Sequence, residues 1–117
     1  MFIVTRRYKS IRSVAEAAKR AEAGLAPLLQ QATGFKGYHI VDAGGGIALS
    51  VTMFDTREDA DRVKDQAQNW IKKNLSDLLQ GGEPETTAGP VIYSARPEAA
   101  RGRTAAASKS EQPGTRR

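Results

Sequence analysis

Residues 44–79 read GGGIALSVTMFDTREDADRVKDQAQNWIKKNLSDLL, and a change of period inside them decides the fold. Ile47, Leu49, Val51 and Met53 alternate along Ile47–Phe54, as a strand requires. At Asp55 and Thr56, either of which suits an N-cap, the period lengthens. Glu58 and Asp59 then fall in a first turn where the helix dipole favours negative charge. Ala60, Val63, Ala67, Trp70, Ile71, Leu75 and Leu78 form one stripe, and Gly81-Gly82 is placed to end the helix. Upstream, Gly44–Gly46 separate Ile47–Phe54 from another β-rich run, Phe35–Val41, and supply the positive φ of a hairpin turn.

The flanks complete the pattern. Phe2–Tyr8 alternates as a first strand. Ser13 with Glu16 forms a capping box, and Val14, Ala18, Ala21, Leu25, Leu28 and Leu29 share a face, which predicts a helix over residues 13–31. Pro27 lacks an N–H, so a kink is expected there, eased by Gly24. Thr86–Ala95 reads as a last strand, with Pro90 confining it to an edge or a bulge. The order β-α-β-β-α-β predicts an α+β, ferredoxin-like plait, with an antiparallel sheet in the order 4-1-3-2 and both helices on one face. The other face then lacks cover. The set Phe2, Val4, Tyr8, Tyr38, Ile40, Ala48 and Phe54 is assigned to it, and so apolar a surface calls for a partner.

Composition limits the chemistry. The 117 residues include no cysteine and one histidine, which excludes disulfides, thiolate catalysis and Cys- or His-rich metal sites. No apolar run is long enough for a membrane span, and Phe2–Val4 followed by Arg6 and Arg7 is no secretory leader, so a cytoplasmic protein is expected. Residues 1–96 hold 13 Lys/Arg and 11 Asp/Glu, net +2, whereas residues 97–117 hold 5 and 2, net +3. One domain over 1–96 and a disordered basic tail over 97–117 follow, because the tail has no large apolar residue to offset its ordering cost. The tail reads either as an arm for nucleic acid or anionic membrane or as a solubilising extension. A folded part at only +2 argues against a nucleic-acid partner.

Five pieces in order, GFKGY (Gly34–Tyr38), VDAG (Val41–Gly44), Phe54-Asp55, NWIKKNLSDLL (Asn69–Leu79) and TAGPV (Thr87–Val91), resemble the antibiotic-biosynthesis-monooxygenase-like group. The resemblance spans about residues 1–96. It implies a dimeric α/β barrel, in which two four-stranded sheets pack face to face in a homodimer. It also implies a range of activities, from cofactor-free oxygenation of polycyclic phenols to haem degradation and isomerisation, so fold alone does not give function. The haem-degrading branch is similar in its helix-two tryptophan, matched by Trp70. It departs in using a strand-one asparagine and a later histidine, where this chain has FIVTRRY and Gln80. No cofactor is therefore expected.

Candidate site residues follow. Trp70 reads as an aromatic wall for a flat substrate or as core, and Asn74, one turn on, as a hydrogen-bond donor or an exposed edge residue. His39 is the candidate catalytic base for a phenol, or a structural histidine. Adjacent strand residues face opposite ways, so only one of Tyr38 and His39 can line a pocket above the sheet. Tyr38 and Tyr93 are candidate hydroxyl contacts. Arg6 and Arg7 also face opposite ways, and the inward one needs a carboxylate, an anionic ligand or the dimer partner. Arg6 is taken as the ligand contact. The sequence thus points to a cofactor-independent monooxygenase of a small aromatic or phenolic metabolite, or to a non-catalytic dimeric binder of small ligands.

Overall fold

A computed structural model describes residues 1–97. Strand β1 (Phe2–Tyr8) leads into a helical segment made of α1 (Val14–Arg20), a π-helical turn (Ala21–Leu25) and α2 (Ala26–Gln30). Then come β2 (Phe35–Gly44), β3 (Ile47–Phe54), α3 (Arg57–Leu75) and β4 (Glu85–Pro90). The four strands form one sheet in the order β2-β3-β1-β4, all neighbours antiparallel, which is the expected plait read from its other edge. The expected tail lies, beyond Pro97, outside the described residues.

Local chemistry explains the elements. The Ser13 hydroxyl accepts the Glu16 N–H at 3.1 Å and starts α1, while the Glu16 carboxylate turns to Arg20 instead of closing the capping box. Pro27 denies the Ala23 carbonyl its usual donor, and the wider turn begins just before it: the Ala26 N–H reaches back five residues to the Ala21 carbonyl. The expected kink thus takes the form of a π turn. Gly24 has a packing role there, since a Cβ on it would meet the Trp70 indole at 2.5 Å. In the hairpin, Gly44, Gly45 and Gly46 all have positive φ, at 86°, 62° and 79°.

Three expectations are corrected. The helix predicted to reach Gly81 ends at Leu75, and Leu78 is buried instead by a tight turn in which the Leu78 N–H bonds the Leu75 carbonyl. The last strand stops at Pro90 rather than Ala95. Pro90 pairs with Phe2, the first residue of β1, so beyond it the sheet offers only the Met1 carbonyl, bonded by the Val91 N–H at 2.8 Å. The third correction concerns the faces. Phe2, Val4, Tyr38, Ile40 and Phe54 pack under the helices against Leu25, Leu29 and Val63, and Tyr8 and Ala48 join Ile11, Leu75 and Leu78. The open face carries the other set, with Ile3 opposite Met53, Val51 between Thr5 and His39, and Leu49 between Arg7 and Val41.

Candidate functional site

The inner face of α3 and the sheet enclose a cavity of about 360 Å³. Ala60, Val63, Ala67 and Ile71 roof it at helical spacing, and the two alanines leave room a longer side chain would fill. Phe2, Val4 and Arg6 come up from β1, Ser50, Thr52 and Phe54 from β3, and Tyr38 from β2. Arg57, Asp61 and Lys64 stand at one end, the first two as an exposed 3.7 Å ion pair of little energetic weight.

The floor is polar where a core would be apolar. Ser50 and Thr52 are 6% and 5% exposed, yet among the described residues neither hydroxyl is engaged by another side chain. Arg6 is half-buried and, among the described residues, has no carboxylate in an ion pair. Burial, reinforced by Tyr8 and opposed by the Arg6 charge, pushes Tyr38 up to about 12. Burial also raises Tyr8, again against Arg6. Both phenols therefore remain O–H donors at neutral pH.

Arg6, Tyr8 and Tyr38 sit where three cavities meet. Arg6 and Tyr38 line the first, Tyr8 and Tyr38 a small void of about 40 Å³ in the core, and Arg6 and Tyr8 a third space of about 280 Å³. Ile71 lines all three.

The candidates separate on this frame. Arg6 and Tyr38 line the main cavity. His39 lies on the opposite, open face, paired with Val51 in register, so its imidazole does not reach the cavity. Trp70 is absent from the walls of all three cavities; its indole lies on Gly24 and bridges the two apolar clusters. The stripe of α3 is divided, because Trp70 is turned about 100° from Ile71 and faces the first helical segment rather than the cavity. Asn74 is exposed and donates from Nδ2 to the Trp70 carbonyl at 2.9 Å. Tyr93 is 81% exposed, beyond the end of β4. The sequence reading passed over Ser50, Thr52, Tyr8 and Ile71. The signal for the first two was two small polar residues at alternate positions in an otherwise apolar strand.

No family model matches the sequence, and no curated protein does either. Solved structures share its fold. A monooxygenase from the gene ActVA-Orf6 of Streptomyces coelicolor, in complex with nanaomycin D, superposes with a TM-score of 0.67 at 13% identity over 83% of this chain and 92% of that one. The chain has the antibiotic biosynthesis monooxygenase-like fold. A protein of unknown function from Nitrosomonas europaea shares this fold with a TM-score of 0.64 at 14% identity, over 82% and 93% of the two chains. So does MhuD, solved with two manganese protoporphyrin IX molecules per active site, with a TM-score of 0.62 at 10% identity over 83% and 100%. The single histidine faces away from the cavity, so no imidazole could ligate a porphyrin metal there. Among the described residues, no group of three His, Cys, Asp or Glu could hold a metal ion, and no helix is long and apolar enough to cross a membrane.

Proposed function

We propose that the protein is a homodimeric, cofactor-independent monooxygenase of a small phenolic metabolite, with Arg6 rather than His39 as the activating group. One observation carries the reading: a half-buried guanidinium without an ion-pair partner among the described residues faces a cavity with apolar walls. Such a charge calls for an anion, and a phenolate supplies one on a flat apolar body. The guanidinium lowers the pKa of the bound phenol, so its proton passes to water and no side-chain base is needed. The ring carbon of the phenolate attacks O₂, and the resulting hydroperoxide loses water. A ring C–H becomes C=O, one oxygen atom stays in the quinone and the other leaves as water. Tyr38, held as O–H, donates a hydrogen bond to the ligand, and the buried Ser50 and Thr52 hydroxyls orient it. In the dimer, the Ile3, Leu49, Val51 and Met53 face packs on its copy.

A non-catalytic ligand-binding protein is the second reading, favoured by the position of His39, which leaves the floor without a neutral-pH base. Oxygen uptake with naphthols and anthrones separates the two. The oxygenase reading predicts consumption of one O₂ per quinone formed, one labelled oxygen in the product under isotopic O₂, and loss of turnover in Arg6→Met. Binding of these compounds without oxygen uptake overturns the oxygenase and leaves the binder.

A further inference from the structure

The space of about 280 Å³ beyond Arg6 is not used by this reading. Arg6, Ile71 and Thr86 line both it and the main cavity, so the two are neighbouring chambers of one groove beneath α3, divided by Ile71 above and Arg6 below. Both mix apolar and polar groups, but only the main chamber has phenylalanine walls, Phe2 and Phe54, whereas the second sets Lys72, Gln68, Ser76 and Glu83 beside Leu79 and Pro84. Arg6, Lys72 and Glu83 each lack an ion-pair partner among the described residues.

We propose that the second chamber is a subsite for a carboxylate side chain of the same ligand, held between Lys72 and Arg6 while its ring lies in the main chamber. The proposal rests on the aromatic-ligand reading of the main chamber. Lys72 is a cation that the main chamber does not share, and Glu83 in the same lining opposes a doubly charged phosphate more than a singly charged carboxylate. Arg6 can serve both ends, because its guanidinium offers five donors in a planar fork. The Tyr8 hydroxyl adds a neutral donor beside it. The ligand class is thus a flat phenol or enol with a short acid-bearing chain, and Ile71 sets how far along the ring the chain can branch.

Calorimetric titration of the full chain tests this with three probes: lawsone, an acidic hydroxynaphthoquinone; lawsone carrying a carboxypropyl chain; and the methyl ester of that acid. The acid is expected to bind about tenfold more tightly than the ester, the scale of one partly solvated charge-assisted contact. Lys72→Met is expected to erase that preference, and Lys73→Met, altered at an exposed neighbour lining none of the three cavities, to keep it. Equal binding of acid and ester by the native protein, or a preference that survives Lys72→Met, overturns the subsite while leaving the main chamber intact. Failure of all three probes to bind overturns the aromatic-ligand reading and the subsite with it.

Discussion

Strand β3 inverts the usual rule: its side under the helices carries Ser50 and Thr52, next to Arg6 and Tyr38, whereas its open side carries Leu49, Val51 and Met53, next to Ile3. Buried hydroxyls with no side-chain partner among the described residues leave donors that a small molecule or ordered water can take up, which is the basis of the proposed ligand site. The apolar residues of the open face are the basis of the proposed dimer, since a surface of similar extent would remove them from water. The proposed function places ligand and copy on opposite sides of one sheet, and each proposal can be broken separately.

The largest effect is expected on the open side. Val51→Asp places a charge at the centre of that face, where burial of an unpaired carboxylate outweighs the remaining apolar contacts. Sedimentation should show the native chain at twice 12.6 kDa and the variant at 12.6 kDa at micromolar concentration, with aromatic ligands still bound. A native monomer would reject the match of that face to protein. Next comes the helix layer. Trp70→Ala removes the indole that lies on Gly24 and joins the two clusters, and should cost about 3 kcal/mol in urea unfolding. Its ligand affinity should stay within about twofold of native; a tenfold loss would return Trp70 to the cavity. The smallest effect lies at Tyr38. Its pKa is about 12 in the fold against 10.0 in the unfolded chain, so the folded state holds the proton longer and stability falls as pH rises from 10 to 12. Tyr38→Phe should reduce that fall by about 1 kcal/mol between pH 9 and 11, read by urea midpoints. An unchanged slope would show the hydroxyl to be solvated.

The fold was most legible where an element carried two independent signals. Ile47–Phe54 had alternation and a glycine turn, and α3 had a stripe and a cap at Thr56. The faces were not legible, since in β3 the set Ile47, Leu49, Val51 and Met53 is more apolar than the set Ala48, Ser50, Thr52 and Phe54 that the helices cover. Pattern alone then ranks the wrong side as core or leaves the choice open. The site was half legible for the same reason. Arg6 and Tyr38 stood out as polar or amphipathic residues in strands, but Trp70 and Ile71 share one stripe, and only the packing of Gly24 against the indole tells which of them faces the cavity. Tyr93 was misplaced because the end of β4 depends on where β1 begins, a pairing that lies outside its own segment.

Arg6 is the residue on which the proposed ligand site most depends. Titration of lawsone into Arg6→Met should show affinity reduced at least tenfold, the scale of a charge-assisted contact, with stability unchanged or raised because the native charge has no ion-pair partner among the described residues. His39→Ala, altered on the open face, should bind lawsone as the native protein does. Native affinity in Arg6→Met, or a loss confined to His39→Ala, would contradict the placement of the ligand between α3 and the sheet.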